Sequence, residues 1–358
     1  MRVLIIAMGP GETSQGVAIA RYFLDQGESV HFVVLKESLL EFLKGLNCTS
    51  EYLSEPEIVK RQIDRARFDL TIFCNSKIFA NSPQFQYEAP ENKPLCVSLD
   101  SNWLFDHPER FPFIRWLDQV YVNLPKEIFE KGLIENGGNY SIPAKIREMM
   151  EPIGLVPSYN PLLVTLRSKI RRTLGLADDE KLIFAYGGSN STFRPELREL
   201  FCQVMEKLNQ EGVGKVRGIF FGGEIESKSW LLPVSDGAVS SSQFYEYLAC
   251  SDLVFQHQGL GTLEQAISAN VPVIANVRTS DNQDHQQLWE VESFAKVGVC
   301  SMFVFGDKID QVVSRTFDLL FDEQAIVKMI LAQRDIYEAG ESVLYESTKR
   351  MIDGNSIR

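Results

Sequence analysis

One segment of the sequence, residues 251–291, combines a turn and side chains that could bind an anionic ligand. An apolar run of strand length at 253–255 leads into the polar, glycine-containing stretch 256–262, and a helical pattern follows. Asn270 ends that helix, and residues 272–275 have the composition of a further strand. A strand, a turn, a helix and a strand in this order form the βαβ unit of a parallel sheet.

The glycine stretch of this segment is suited to holding a phosphate. A turn that opens a helix presents backbone N–H groups to a ligand, and the helix dipole there favours negative charge. Gly259 and Gly261 leave room for a ligand to approach the backbone. Glu264 is expected inside the first helical turn, where its carboxylate suits sugar hydroxyls. The alternative is an ordinary turn in which Glu264 stabilises the helix.

A second glycine turn occurs earlier in the same half of the chain. A strand at 181–185 leads into residues 186–192, which include Gly187 and Gly188, and a helix follows from Pro195. Two helix N-termini that point at one site could hold a diphosphate without a metal ion. No Asp-x-Asp motif argues for a metal, although Gly187 and Gly188 could also form a plain turn.

The first half of the chain begins with a Rossmann-like unit. The pattern predicts a strand at 3–8, a loop at 9–16, a helix at 17–26 and a second strand at 29–35. The glycine spacing of the loop is not Gly-x-Gly-x-x-Gly, and no ribose-binding acid follows the second strand, so a dehydrogenase is a distant alternative. Asp100 follows a strand at 94–99, at the edge where α/β sheets place ligands.

Further elements connect and extend these units. Helices are predicted at 37–46 and 55–67, and a linker at 152–157 separates the halves. A helix at 160–174 carries four basic residues, Arg167, Lys169, Arg171 and Arg172. Such a cluster is usually a solvated face, and the alternative is contact with a phosphate or a membrane surface.

Composition excludes several classes of protein. A length of 358 residues suggests two domains, and the 36 basic and 48 acidic residues leave a net charge of −12, which disfavours nucleic acid as a partner. The six cysteines show no Cys-x-x-Cys pair, so neither a disulfide framework nor a zinc site is indicated. No run has the length of a membrane span, and the short apolar stretch at the N-terminus does not suggest a signal peptide.

The second half resembles the two-domain GT-B glycosyltransferases, and most closely the family of the N-acetylglucosaminyltransferase that completes lipid II in peptidoglycan synthesis. Four motifs of that family stand here in the same order: Gly187-Gly188-Ser189 after a strand, Ser251-Asp252 before a strand, the glycine turn 258–264, and the segment 284–290 after the next strand. The linker at 152–157 also resembles that family's domain junction.

The resemblance implies roles for matching residues. Glu264 would hold the ribose hydroxyls, Gln286 and Gln287 would reach the donor sugar, and the backbone near Ser241 would meet the base. The two glycine turns would surround the diphosphate. The full set of implied donor-binding residues is Gly187, Gly188, Ser189, Asn190, Ser241, His257, Gly259, Leu260, Gly261, Thr262, Glu264, Asp284, Gln286 and Gln287. For His257 the competing interpretation is a histidine packed at the end of a strand.

Two departures from that family concern the sugar and the catalytic base. Glu290 stands where the family has an asparagine that helps to choose the sugar, so the donor sugar is left open. The family's glycine-flanked histidine is replaced by Gly11-Glu12-Thr13. Glu12 could act as the base if burial raised its pKa, and Asp100 is a second candidate. The alternatives are a helix N-terminal charge partner for Glu12 and a turn cap for Asp100.

We therefore expect an α/β protein with two Rossmann-like domains that face each other across a cleft, and with C-terminal helices that pack back on the N-terminal domain. The expected boundaries are 1–157 for an acceptor domain, 158–335 for a nucleotide-sugar-binding domain, and 336–358 for a C-terminal helix crossing back.

The expected function is the transfer of a sugar from a nucleotide diphosphate donor to an acceptor hydroxyl, with inversion and without a metal ion. A UDP-linked donor is the first expectation and a thymidine diphosphate-linked donor is the alternative. The alternatives are a nucleotide-sugar hydrolase of the same fold and a non-catalytic nucleotide-sugar-binding subunit. No cofactor, metal or nucleic acid is expected. The expected acceptor is lipid-linked or a small molecule, and the expected location is the cytoplasm, with peripheral contact at the inner membrane face as a further option. The aromatic loop 103–113 and the segment 143–150 could form the surface for that contact, and the alternative is an ordinary packed loop and helix.

Overall fold

The computed structural model describes residues 1–53, 67–75, 93–100, 116–136, 147–157, 162–188, 194–210, 215–221, 223, 225–232, 241–278 and 285–355. The chain divides into two compact units. Unit 1 comprises Met1–Ser158 and Glu338–Arg358, and unit 2 comprises Tyr159–Tyr337.

Unit 1 contains a parallel sheet of seven strands in the order β3-β2-β1-β4-β5-β6-β7. The strands are β1 (Arg2–Ala7), β2 (Ser29–Val34), β3 (Thr49–Tyr52), β4 (Leu70–Cys74), β5 (Leu95–Asp100), β6 (Gln119–Val122) and β7 (Met150–Pro152). The central strands β1, β4 and β5 are almost wholly buried, which explains why they are nearly continuous apolar runs.

The helices of unit 1 differ in part from the sequence prediction. Helix α1 (Pro10–Asp25) begins where a loop was predicted, because Pro10 suits the first helical position and Gly16 packs closely against Phe32. The helix predicted at 37–46 is a shorter 3-10 helix (Glu37–Leu43), and α2 (Lys126–Asn136) follows β6. Most of the predicted helix at 55–67 and the whole loop 103–113 lie outside the described residues.

Two edge strands of unit 1 were not predicted from the sequence. Strand β3 is mostly exposed, so it lacks the apolar run that marks a buried strand. Strand β7 pairs with β6 and ends at Pro152, the first residue of the predicted linker. The residues after it are also packed rather than loose, since Ile153 and Leu155 are buried.

Unit 2 contains a parallel sheet of five strands in the order β12-β11-β10-β8-β9. The strands are β8 (Lys181–Tyr186), β9 (Val216–Phe221), β10 (Leu253–His257), β11 (Val273–Val277) and β12 (Ser301–Val304). The helices are α3 (Leu162–Thr165), α4 (Arg167–Thr173), α5 (Arg194–Gln210), α6 (Ser241–Cys250), α7 (Leu260–Ser268), α8 (His285–Lys296), α9 (Ile309–Phe321) and α10 (Glu323–Ile336). The single helix predicted at 160–174 is thus two short ones in its described part.

The basic residues of α4 are in part structural. Arg167 and Arg171 bind the carboxylate of Asp252 at 2.7 and 3.0 Å, and both also donate to backbone carbonyls at the end of α6. Lys169 and Arg172 are exposed. The interpretation of the basic cluster as a solvated face was therefore wrong for Arg167 and Arg171.

The C-terminal helix α11 (Gly340–Asn355) packs within unit 1, as the sequence analysis predicted. Tyr345 meets Phe23 of α1 edge to face, with ring centroids 5.0 Å apart, and its hydroxyl donates to Glu28 at 3.0 Å. Leu344 and Tyr345 belong to the apolar core beside β1. The fold class of two Rossmann-like α/β units is confirmed. Among the described helices, none has both the length and the apolar composition to span a membrane.

Candidate functional site

The two predicted glycine turns of unit 2 lie at the same edge of its sheet. Strands β8 and β10 are adjacent and parallel, with Tyr186 opposite Gln256. Gly187 and Gly188 therefore leave the sheet close to the point where β10 ends at His257. Gly188 has a φ of +80°, a left-handed conformation that favours glycine. The register brings together the two turns that the sequence analysis paired.

The turn after β10 is shorter than predicted. Strand β10 extends through His257 and α7 begins at Leu260, so only Gln258 and Gly259 lie between them. Gly259 is the N-cap residue of α7 and provides no side-chain cap. A Cβ atom on Gly261 would meet nothing within 4 Å. The first turn of α7 thus combines backbone N–H groups, a favourable dipole and space for an anion.

Gly259 has a packing role that the sequence did not predict. A Cβ atom at this position would lie 2.9 Å from Cε1 of His257. The glycine therefore makes room for the imidazole ring. Its predicted role of leaving space for a ligand stays a prediction. Gly261 is the residue of α7 whose missing side chain opens the helix N-terminus.

Glu264 lies deeper in α7 than the sequence analysis expected. It is the fifth residue of the helix, so the expectation that it belongs to the first turn was wrong. Its side chain is fully buried, as is that of Leu263 before it. A carboxylate withdrawn from water makes stronger hydrogen bonds than an exposed one. Its role as a ribose ligand stays a prediction.

Buried amide side chains hold the turn after β10 against the neighbouring strand β11. The backbone N–H of Arg278 donates to Oε1 of Gln258 at 2.7 Å, and Nδ2 of Asn276 donates to the carbonyl of Gln256 at 3.2 Å. Gln256, Gln258 and Asn276 are all fully buried. Because these amides connect the ends of two strands, the helix N-terminus that follows is held in place before any ligand arrives.

Arg194 is a residue at this edge that the sequence analysis missed. It begins α5, packs over Gly187, and donates a hydrogen bond to the carbonyl of Gly188. Its positive charge lies at a helix N-terminus, where the helix dipole also attracts anions. The sequence signal that could have found it is an arginine six positions after the glycine pair.

His257 is uncharged at neutral pH in the folded protein. Burial, together with the positive charge of Arg194, lowers the pKa of its imidazole from 6.5 to about 4. A neutral imidazole can donate or accept a hydrogen bond, but it cannot neutralise a diphosphate. At this edge, Arg194 and the N-terminus of α7 contribute positive charge that His257 does not.

The lowered pKa of His257 predicts a loss of stability in acid. The unfolded chain binds a proton at this residue below about pH 6.5, whereas the folded chain does so only near pH 4. The contribution of His257 to the free energy of unfolding is therefore fully present above pH 6.5. It is lost as the pH falls to 4, and the loss amounts to roughly 3 kcal/mol. Urea unfolding at pH 7.5 and 4.5 measures this loss. Between these two pH values, the free energy of unfolding should fall less in H257Q than in the wild type, by about the contribution of His257. An equal fall in both proteins contradicts the prediction.

In unit 1, the two candidate base residues also lie at one sheet edge. Strands β1, β4 and β5 are adjacent, with Ala7 opposite Cys74 and Cys74 opposite Leu99. Glu12 is in the first turn of α1 after β1, and Asp100 is the last residue of β5. Oε1 of Glu12 accepts a hydrogen bond of 3.0 Å from Nδ2 of Asn75, the residue after β4.

The thiol of Cys74 stands at the end of β4, between the strands that lead to the two carboxylates. The pKa of Cys74 is raised well above its usual value, mainly by burial and in addition by the negative charges of Glu12 and Asp100. Asp100 is 2% exposed, while Glu12 is half-buried. Both predicted residues thus lie at the edge of the sheet where β4 ends at the buried Cys74. Glu12 is the more accessible of the two.

The remaining predicted residues are only partly described. Ser189, Asn190 and Asp284 lie outside the described residues. Ser241 is the first residue of α6, and Gln286 and Gln287 are the second and third residues of α8, with the backbone described. Glu290, which departs from the family's asparagine, is 2% exposed on α8. Among the described residues, no three His, Cys, Asp or Glu side chains form a cluster that could hold a metal ion.

No protein-family model matches the sequence, and a search among curated proteins finds no match. Solved structures match along nearly the whole chain. MurG from Acinetobacter baumannii has a TM-score of 0.57 at 14% identity, over 97% of this chain and 99% of that one. The glycosyltransferase SnogD from Streptomyces nogalater has a TM-score of 0.60 at 14% identity, over 97% and 99%.

A third match is an enzyme of another reaction class. UDP-GlcNAc 2-epimerase from Neisseria meningitidis, solved with UDP-GlcNAc bound, has a TM-score of 0.62 at 12% identity, over 98% of this chain and 100% of that one. At such identities the likeness concerns the fold alone. The chain therefore has the two-domain Rossmann-like fold of the GT-B glycosyltransferases, which UDP-GlcNAc 2-epimerases share.

Proposed function

We propose that the protein is a glycosyltransferase that moves a sugar from a UDP-linked donor to an acceptor hydroxyl, with inversion and without a metal ion. The observation that carries the proposal is the pair of glycine turns at one edge of the unit 2 sheet, where Arg194 binds Gly188 after β8 and the N-terminus of α7 follows the adjacent strand β10. These groups offer backbone N–H donors and a positive charge to a diphosphate.

The donor half of the proposed reaction belongs to unit 2. The diphosphate binds at the open first turn of α7 and near Arg194, and the ribose hydroxyls bind Glu264. When the bond between the anomeric carbon and the diphosphate oxygen breaks, the electron pair stays on UDP. The helix N-terminus and the guanidinium stabilise that developing charge, and they need little reorganisation because both are held in place beforehand.

The acceptor half of the reaction belongs to unit 1. A carboxylate takes the proton from the acceptor hydroxyl as the hydroxyl oxygen attacks the anomeric carbon in line. Glu12 is the first candidate for this carboxylate and Asp100 is the second. Glu12 is the stronger candidate because it is accessible and a hydrogen bond from Asn75 fixes its orientation. The resemblance to the lipid II-forming family supports a lipid-linked or small-molecule acceptor, with peripheral membrane contact for the former.

The deciding experiment measures UDP release by the purified protein. UDP-glucose, UDP-N-acetylglucosamine, UDP-galactose and dTDP-glucose are supplied alone and with panels of lipid-linked and small-molecule acceptors. Acceptor-dependent UDP release that persists in EDTA, with an inverted anomeric product by NMR, supports the proposal. Release of free sugar at the same rate with or without acceptors indicates a hydrolase. An epimerised sugar indicates an epimerase, and binding of UDP without turnover indicates a binding subunit.

Replacing Glu264 tests the proposed nucleotide site directly. E264A and E264Q are expected to weaken UDP binding by about 1–3 kcal/mol, roughly 5- to 150-fold in Kd, because the ribose hydroxyls lose a charged hydrogen-bond partner. Isothermal titration calorimetry measures the change. E264Q keeps the size of the buried side chain, so it separates binding from packing.

The matched control for this pair is E206A, which removes a glutamate from the outer side of α5 where it pairs with Lys228. We expect no change in UDP affinity for the control. An unchanged affinity in E264Q, with an unchanged melting temperature, would remove Glu264 from the nucleotide site.

A further inference from the structure

The backbone of Asn75 adopts an unusual conformation. Its φ is +83°, and Asn270 with +54° is the other non-glycine residue with positive φ in the described part of the chain. For a residue with a side chain this conformation costs on the order of 1 kcal/mol, and such strained positions cluster at functional sites. Asn75 is placed at the ligand-binding edge of the unit 1 sheet, directly after β4.

Asn75 connects three neighbouring strand ends. Its own position follows β4, and its backbone N–H donates to the carbonyl of Leu99 at 2.8 Å, one residue before Asp100. Its side-chain amide donates to Oε1 of Glu12 at 3.0 Å, across the turn after β1. One strained residue thus binds the Glu12 carboxylate and also the strand that ends at Asp100.

The Glu12 carboxylate is held on two sides. Nδ2 of Asn75 binds Oε1, while Oε2 lies so close to Gly9 that a Cβ atom there would be 2.4 Å away. An amide N–H can only donate to a carboxylate oxygen, so the bond selects one orientation of the group. The left-handed backbone of Asn75 is what aims the amide at Glu12 while its N–H remains bonded to Leu99.

We propose that Asn75 is a positioning residue for the catalytic base, and that it acts by holding the Glu12 carboxylate in the orientation that accepts the acceptor's proton. This inference rests on the proposed glycosyltransferase function. Small displacements of a base from its reactive geometry lower the rate of the chemical step steeply, whereas they leave the binding of the other substrate unaffected.

The test compares N75G and N75D with the wild-type enzyme, in UDP release from UDP-glucose and UDP-N-acetylglucosamine with water or an active acceptor. N75G keeps the positive φ without strain but removes the amide, so we expect kcat to fall by about 10-fold. N75D keeps the size but places a negative charge against Glu12, and we expect a larger fall. The KM for the donor should change by less than about 2-fold in both, because the donor residues belong to unit 2.

N270G is the matched control, since it makes the same exchange at the other positive-φ asparagine, far along the chain in unit 2. We expect its kcat to equal that of the wild type. In the E12Q background, N75G should cause no further fall beyond about 2-fold, because a residue that acts through Glu12 has nothing left to orient.

Three results overturn the inference. An undiminished kcat in folded N75G, while E12Q loses activity, means that the base works without Asn75. A further 10-fold fall in the E12Q background means that Asn75 acts elsewhere. If the wild-type enzyme releases no UDP, the proposed function is wrong and this inference falls with it. If the wild type is active and only the results for the variants differ from expectation, the inference alone is wrong.

Discussion

Replacement of Glu12 by glutamine is expected to lower kcat for sugar transfer by roughly 10²- to 10⁴-fold, the usual contribution of a general base. Glutamine has nearly the same size, and its amide oxygen can still accept the hydrogen bond from Asn75. The substitution therefore removes the proton acceptor with little disturbance of the structure. UDP affinity should be unchanged, because the residues proposed to bind UDP belong to unit 2.

The control for E12Q is E37Q. Glu37 is likewise an acidic residue in the first turn of a helix that follows a strand of the unit 1 sheet, and it is exposed. If Glu12 only complemented the dipole of α1, both variants would lose up to about 1 kcal/mol of stability and neither would lose activity. Full activity in E12Q would thus exclude Glu12 as the base, and D100N would then test Asp100.

Much of the fold could be predicted from the sequence because it consists of parallel strands buried on both faces. Such strands are continuous apolar runs, as in β1 and β10, and they stand out by composition alone. The exposed strand β3 has no such run, so nothing in its composition separates it from a loop. The start of α1 was missed because Gly11 and Gly16 resemble loop residues, although Gly16 is needed for the close contact with Phe32.

The candidate site was predictable where its residues are close in the sequence. The glycine turns, Glu264 and the first turn of α7 follow from local patterns. Asn75 could not be found in this way, because it meets Glu12 across 63 positions and only through the strand order β1-β4-β5. Arg194 was missed for a related reason, since its importance depends on the folding of its side chain over Gly187.

The arginines of α4 show how charge patterns mislead when their partners are distant. A cluster of basic residues suggests a solvated or phosphate-binding face, yet Arg167 and Arg171 meet one carboxylate about 80 positions later. Both also donate to the carbonyls of Ala249, Cys250 or Ser251, where α6 ends and cations are favourable. Asp252, which the sequence analysis noted only as part of a motif, is the centre of this arrangement.

The side chain of Asp252 is expected to contribute strongly to the free energy of unfolding of unit 2. Besides the two arginines, its Oδ2 accepts a hydrogen bond of 2.7 Å from the backbone N–H of Leu182, and its own N–H donates to Leu182 at 2.8 Å. It therefore joins α4 to the starts of β8 and β10. D252N should lower the free energy of unfolding by about 1–3 kcal/mol, since it removes the charge partner of Arg171, which is mostly buried, and of Arg167, which is about one third exposed.

The measurement is urea unfolding, and the matched control is D310N, which makes the same change of charge at an exposed ion pair with Lys207. Exposed pairs contribute about 0–1 kcal/mol, so the control should unfold nearly as the wild type does. The expected difference arises from burial rather than from the number of ion pairs lost. Equal and small effects in both variants would mean that water still reaches Arg167 and Arg171, and that the carbonyls at the end of α6 are enough to hold α4 in place.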